Sequence, residues 1–409
     1  MALTPEHLQQ RIADAAEHGT PLAPVGGGTK QGYGRAVEGA QALDVRGLGG
    51  VVDYQPQELI VVARPGTPLA ELEALLAERR QMLAFEPPHW GAGATLGGAI
   101  ACNLSGPRRF KAGAARDHLL GFQAVTGRGE LIRGGGRVVK NVTGYDMSKL
   151  FCGSFGTLAV LTELCLKVLP RPEAERTVAV TGLAERGALA LLGEAARTQQ
   201  EPSGLAYLPP APAQYTAPAR SGQPPETGLP EALGGLAAAG VALLRVEGPE
   251  RAVSAQAHAL AALARERGGR AETLDPEASR SVWRAVRELE GLAPGSGERL
   301  WRFSVPAAAA ADLADALRGR MGAHPPRLAY DWAGGLVWAT LPPLADGWVH
   351  ELARAAGGHA RLVRSSAPVP PELEAFTPLD PARRKLHEQL KRAFDPSGIL
   401  SPGRMYAGL

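Results

Sequence analysis

Cysteine is scarce in this chain: Cys102, Cys152 and Cys165 are the three among 409 residues. Three thiols cannot build a disulfide framework, and their spacings match neither a zinc nor an iron–sulfur pattern. The expectation is a reducing, cytoplasmic compartment and no metal site. Charge of one sign is equally short, with 44 basic against 41 acidic residues and a net +3, so no broad field favours nucleic acid or an anionic membrane surface. The nine histidines are scattered, with no pair at ligand spacing. Nor is there a clean membrane-length apolar run. The longest candidate, LFCGSFGTLAVLTELCLKVLP from 150 to 170, carries Glu163, Lys167 and three hydroxyl residues, and predicts a buried turn followed by strands.

What is present begins with length, which is enough for two domains with separate cores. The first residues, MALTPEHLQQRIADAAEHG, read as a folded helix with Thr4 as cap and Pro5 in the first turn, not as a signal peptide. Short apolar strands separated by glycine loops fill 21 to 66. The helix PLAELEALLAERRQ follows, with Thr67 as its cap and leucines 69, 72, 75 and 76 on one face. The segment LLGFQAVTGRGELIRGG predicts two strands hinged at Gly127-Arg128-Gly129. After about residue 172 strands and helices alternate as β-α-β-β-α-β, the pattern of an antiparallel sheet with helices on one face, interrupted by a Pro-rich loop at 209–230.

Three glycine-dense segments carry the chemistry. In PVGGGTK, Gly26, Gly27 and Gly28 remove every Cβ at a turn, so successive amides can converge on an anion, with Thr29 adding a hydroxyl and Lys30 a charge. Three glycines also make an ordinary tight turn. The Gly-Lys-Ser/Thr order that seats magnesium in a triphosphate loop is absent. In PPHWGAGATLGGAIACNLSG, residues 87–106, small residues let backbone lie against a flat ligand, or let helices pack closely. Asn103, Ser105 and Gly106 then follow as polar or flexible positions. The third, KNVTGYDMSKLFCGSFGTLAVLTE from 140 to 163, combines Gly144, Gly153 and Gly156 with a β-run.

On these segments, together with FDPSGILSPGRMY near the C-terminus, the sequence resembles the vanillyl-alcohol oxidase/p-cresol methylhydroxylase (PCMH) type of FAD-binding protein. Within it the chain resembles the FAD-binding E-subunit branch of bacterial glycolate oxidases (glycolate dehydrogenases). The resemblance implies an α+β fold: a two-part PCMH-type FAD-binding domain at 1–175, an inserted antiparallel α+β cap at 176–380, and a tail at 381–409 that returns to the FAD domain. It implies that Val25, Gly26, Gly27, Gly28, Thr29 and Lys30 cradle the FAD pyrophosphate. Pro88, Thr95, Leu96, Gly97, Gly98, Ala101, Cys102, Asn103, Ser105 and Gly106 would run along the pyrophosphate, ribityl chain and flavin. Asp117 would support them, while Gly153, Gly156, Thr157, Ala159 and Val160 would meet the adenine side. Some relatives attach flavin through a histidine where Thr29 stands here, so FAD is expected to be noncovalent. The resemblance further implies oxidation of glycolate to glyoxylate within a complex containing a catalytic FAD subunit and an iron–sulfur subunit, cytoplasmic or peripheral at the inner face of the membrane.

The histidine-rich HxGDGNxH-like segment of catalytic relatives has no counterpart, and Phe155 replaces the glutamate of their Gly-Ser-Glu-Gly. Should the chain itself oxidise a 2-hydroxy acid, as a self-sufficient D-lactate-like dehydrogenase would, it needs a cation for the carboxylate and a partner for the hydroxyl. Arg302 and Arg404 are the candidates for the first role; Tyr145 and His89 are those for the second.

Overall fold

A computed structural model describes residues 3–136, 144–210, 239–322 and 324–409. Contacts divide the chain into two compact units, one of Met1–Ser105, Gly113–Arg171 and Glu374–Leu409, the other of Gly106–Ala112 and Pro172–Leu373. The short segment 106–112, which directly follows the second glycine stretch, therefore goes with the second unit. Most of the Pro-rich loop, from 211 onward, and Lys140–Thr143 of the third glycine segment lie outside the described residues.

The first unit opens with α1 (Pro5–His18), whose start is fixed by Thr4 Oγ1 accepting from the His7 amide and whose end is Gly19 in a left-handed conformation. Leu8, Ile12 and Ala15, spaced for one helical face, are its buried side. Then come β1 (Leu22–Val25), β2 (Gln41–Asp44), β3 (Val51–Gln55), β4 (Ile60–Ala63), α2 (Leu69–Glu78) and β5 (Gln81–Met82). Thr67 does not cap α2 as its sequence suggests: Pro68 is the capping residue, and the Thr67 hydroxyl bonds the carbonyl of Arg64 at 2.7 Å and that of Gly50 at 3.1 Å instead. With proline at the cap, that hydroxyl is drawn into the preceding turn. Next in the chain are α3 (Leu96–Ala101), α4 (Arg109–Ala112, in the second unit), α5 (Ala115–His118), β6 (Leu119–Thr126), β7 (Leu131–Gly135), α6 (Met147–Phe151), β8 (Ala159–Lys167) and β9 (Leu169–Pro170). Strands β3-β4-β8-β6-β7 form an antiparallel sheet. Central β8 is buried along nearly its whole length, which is why its sequence reads as a continuous apolar run.

The second unit continues with β10 (Ala174–Thr181), α7 (Glu185–Ala195), β11 (Gly204–Leu208), β12 (Val241–Gly248), α8 (Glu250–Glu266), β13 (Arg270–Leu274), α9 (Pro276–Glu288), β14 (Arg299–Ser304), α10 (Ala310–Met321), β15 (Arg327–Asp331), β16 (Leu336–Leu341), α11 (Val349–Ala355) and β17 (His359–Ser365). Its described strands make one antiparallel sheet in the order β13-β10-β12-β11-β15-β16-β14-β17. That order is two βαββαβ repeats laid side by side, β10 to β13 and β14 to β17, joined edge to edge where Tyr207 on β11 faces Tyr330 on β15. The linking helix α9 was not separated in the sequence; it docks on β10 through Trp283 Nε1 donating to Thr177 Oγ1 at 2.8 Å and Ser279 at 2.6 Å from the same hydroxyl.

Arg108 holds segment 106–112 in this unit: its guanidinium donates in bidentate fashion to Glu247, at 2.5 Å for the shortest pair, and lies 3.6 Å from Glu175. Burial alone pushes the Glu247 carboxyl up, but Arg245 and Arg108 outweigh it and hold the pKa down to about 2. Burial dominates at Glu175 and raises it. The stability contributed by Glu247 is thus present above its ordinary value of 4.5 and is lost as pH falls toward 2. Thermal unfolding between pH 5 and pH 3 is expected to fall more steeply for the unaltered chain than for Glu247→Gln. Equal slopes would remove the network from the account. Glu175 is itself raised in part by the Glu247 charge, so it shifts in the variant as well, and the difference reports the network of Glu247, Glu175, Arg108 and Arg245 as a whole.

The helix α12 (Pro381–Phe394) belongs to the first unit, and beyond it the chain lies beside β1, with the Leu22 amide donating to Ile399 and the Ser401 amide to Leu22. Lys391, buried on α12, donates to the carbonyls of Thr157 at 2.8 Å and Leu400 at 2.6 Å, and pairs with Asp395 at 2.7 Å.

Candidate cofactor site

A cavity of about 330 Å³ lies within the first unit, along the turn that leaves β1. Val25, Gly26, Gly27, Gly28, Thr29 and Lys30 line one side, and Thr95, Gly98, Ala101 and Cys102 from α3 and its flanks line another. Its size falls in the range of small-molecule sites, enough for one portion of an extended dinucleotide.

The turn is built by two glycine strands of chain in near contact. A Cβ on Gly27 would overlap the carbonyl of Gly93, and one on Gly26 would come within 2.6 Å of Thr95 Oγ1. Gly28 has φ +76°, which side chains rarely adopt. Among the described residues, the amides of Gly26, Gly27, Gly28 and Thr29 have no backbone acceptor. Successive donors without protein acceptors, beside a cavity, are what a phosphate group requires. The charge is nearby: Lys30 is buried, with its ammonium 2.9 Å from both Thr29 Oγ1 and the His89 carbonyl. The donor set therefore fits a diphosphate-bearing cofactor.

Arg404 also lines the cavity, but its guanidinium donates to the carbonyls of Arg35 at 2.8 Å and Lys30 at 3.1 Å. It ties the tail to the glycine turn. Burial lowers its pKa. Other residues singled out in the sequence stand around the cavity rather than on it. Pro88 is buried, Leu96 is in the core, and Gly97 packs against Pro65 where a Cβ would meet carbon at 2.5 Å. Asn103 Oδ1 accepts from the Arg116 amide at 3.2 Å, Ser105 Oγ from Ala115 at 2.9 Å, and Asp117 Oδ2 from Ala114 at 2.9 Å, so these three shape the 113–118 turn. Gly153 donates to Ile100, and Gly156 (φ +71°) lies over Pro24. Thr157 bonds the Ser154 carbonyl, and Ala159 and Val160 sit in β8 opposite Thr126 and Val125. At Ala159 and Val160 the strand is paired through β6 alone, because β4 meets β8 only from Leu164 onward. Gly106 lies in the second unit, where its carbonyl accepts from Trp332 Nε1 at 3.1 Å. Arg302 is also in the second unit, on β14, while Tyr145 is 93% exposed, and His89 pairs with Glu73 at 3.1 Å.

The cavity has lining residues that sequence reasoning passed over: Pro24, Gln31, Ala36, Val37, Phe155 and Ser401. Phe155 had a signal, as the odd residue of Gly-Ser-Phe-Gly. With φ 56° it is held in the left-handed region by edge contacts to Tyr33 at 4.9 Å and Phe376 at 5.2 Å. An aromatic cluster occupies the place where a carboxylate was noted as missing.

Fold and cavity together define a flavoprotein of the FAD-linked oxidase class. The FAD binding domain family matches residues 2–135, and the C-terminal domain of FAD linked oxidases matches residues 376–405. Across 99% of its length the chain is 38% identical to glycolate oxidase subunit GlcE of Escherichia coli (strain K12), covering 97% of that protein. It is 32% identical to glycolate oxidase subunit GlcD of Bacillus subtilis (strain 168) over 42% of this chain and 37% of that one. Among solved structures, p-cresol methylhydroxylase with substrate bound superposes with a TM-score of 0.72 at 16% identity, over 98% of this chain and 87% of the other. The 4-ethylphenol oxidase of Gulosibacter chungangensis gives 0.68 at 17% identity, over 99% and 88%. The chain belongs to the FAD-linked oxidase family, alongside the GlcE-type subunits.

Proposed function

We propose that this chain is the FAD-binding subunit of a glycolate-oxidising complex, working with a catalytic FAD subunit and an iron–sulfur subunit. The observation that carries the reading is the full-length likeness to GlcE, at 38% identity over 99% of the chain. When bound, FAD supplies a two-electron acceptor for the hydride of a substrate C–H bond. The amides of Gly26 to Thr29, with Lys30 beside them, hold its diphosphate. Gly98 and Ala101 leave room for the rest of the ligand, and Arg404, on the cavity wall, fixes the turn through the Lys30 carbonyl. Cofactor attachment is noncovalent, because Thr29 offers no ring nitrogen for a flavin bond; acid precipitation is expected to leave all flavin in the supernatant. No helix among the described residues is long and apolar enough to cross a membrane, and a cytoplasmic setting at the inner membrane face through the complex belongs to the same proposal.

The experiment is anaerobic mixing with glycolate or D-lactate, followed at the oxidised flavin band. Bleaching of this chain's flavin only when the partner subunits are present supports the complex. Prompt bleaching of the isolated chain would instead establish a self-sufficient 2-hydroxyacid dehydrogenase.

A further inference from the structure

Helix α12 is turned the wrong way round for a helix at a free surface. The side that meets the rest of the first unit is largely polar: Arg384 donates to the Ala407 carbonyl at 3.1 Å, His387 meets the Tyr406 ring edge-on at 5.5 Å, and Lys391 reaches the carbonyls of Thr157 and Leu400. Phe394, against Phe151 at 5.1 Å, is the one apolar member of that side. These positions recur at helical spacing and define one face, on which α12 fully buries only Lys391. An ordinary surface helix puts its leucines there.

The leucines of α12 are on the other side. Leu386 is 54% exposed, and Ala382, Leu390 and Ala393 extend it into an apolar strip along the helix, each a turn from the next. Lys385 and Arg392, both exposed and two turns apart, flank this strip. The acidic groups nearby are taken by other cations: Asp380 by Arg383 and Glu388 by Arg384, each at 3.3 Å, and Asp395 by Lys391. Among the described residues, Lys385 and Arg392 have no carboxylate partner. An apolar seam with a basic flank is one half of a helix–helix interface.

We infer that this outward face of α12 is a docking surface for an acidic amphipathic helix of another protein chain, a subunit of the complex proposed above. The partner's apolar seam packs on Leu386 and its neighbours, and carboxylates beside that seam pair with Lys385 and Arg392. A second copy of this chain is a poor occupant. Two α12 helices packed antiparallel set Lys385 against Arg392, and packed parallel set each against its own counterpart, so like charges meet either way. A lipid surface is a poorer one: the strip has no aromatic residue and two of its four members are alanines, too little apolar area to hold a helix in a bilayer interface. That the partner belongs to the same complex rests on the proposed function; that it is acidic rests on α12 alone.

The test co-expresses the full chain with the catalytic FAD subunit and the iron–sulfur subunit, purifies through a tag on this chain, and reads partner retention and the affinity from a dilution series of the complex. Leu386→Glu, and the double change Lys385→Glu with Arg392→Glu, are each expected to weaken association at least about tenfold, or 1.4 kcal/mol. Flavin content and melting temperature should stay unchanged in both, because all three side chains are exposed. Lys385→Arg is expected to keep full association. Undiminished partner retention by either charge-altered variant overturns the inference and leaves the proposed function standing, whereas no complex with the unaltered chain overturns both. Two further measurements address the rival occupants. Sedimentation showing a dimer of the isolated chain that Leu386→Glu dissolves would assign the face to a second copy, and flotation on phosphatidylglycerol vesicles that the same variant abolishes would assign it to a membrane. Either result overturns the acidic partner.

Discussion

Gly27→Val is expected to leave the chain unable to retain flavin. Any side chain at that position meets the backbone carbonyl of Gly93, and backbone cannot step aside as the end of a flexible side chain can. The two glycine strands must separate, which breaks up the row of amides along the cavity. Because the same collision could also unfold the unit, Gly98→Leu is the companion variant. Gly98 is within α3, where leucine favours helix, and a Cβ there meets only Thr95 Oγ1 at 3.3 Å and Lys30 Cδ at 3.6 Å. The larger side chain then projects into the cavity and excludes the ligand rather than disrupting the protein. Flavin-to-protein absorbance is expected to fall at least about tenfold in both, a loss of about 1.4 kcal/mol or more in cofactor binding. Folded Gly98→Leu protein carrying a full complement of FAD would remove this cavity from the cofactor's path.

Lys391→Met is expected to give the largest loss of stability. Lys391 bridges the Thr157 and Leu400 carbonyls, and its partner Asp395 has a side chain with no exposure at all. Asp395 in turn accepts from the amides of Ile399 and Leu400. Removing the cation leaves a buried carboxylate and two carbonyls without their donor, which costs about 3–5 kcal/mol and lowers Tm on the order of 10 °C. The double change Lys391→Met with Asp395→Asn should recover part of that loss, since the uncompensated charge is gone. A melting temperature within about 2 °C of the unaltered chain for the single variant would show that the bridge contributes little.

The parts of the fold governed by local pattern were legible in the sequence. Thr4, Pro5 and the apolar spacing of α1 define a helix without help from the rest of the chain. The glycine hinge between β6 and β7, and the β-α-β-β-α-β rhythm of the second unit, were equally visible. Thr67 misled because its hydroxyl turns back to the carbonyls of Arg64 and Gly50, and Gly50 is too distant in sequence for the local pattern to reveal it. The glycine turn was readable because missing side chains leave a mark in sequence. The surroundings of Arg302 were less so: its strand was visible, but Arg361 comes opposite it through register, and segment 106–112 joins the second unit through Arg108 and Glu247. Those are long-range facts that no window of sequence contains.

Residues 374–409 have a temporal meaning as well as a spatial one. Ser401 and Arg404 complete the lining of a cavity whose glycine turn lies at 26–28, and everything from 172 to 373 is made between them. In chain order every segment of the second unit, 106–112 included, precedes residues 374–409, the last part of the first unit. A nascent chain that ends at residue 373 holds the whole sequence of the second unit but lacks Ser401 and Arg404 of the cavity wall. The cavity wall is therefore completed only by the last stretch of chain to be made.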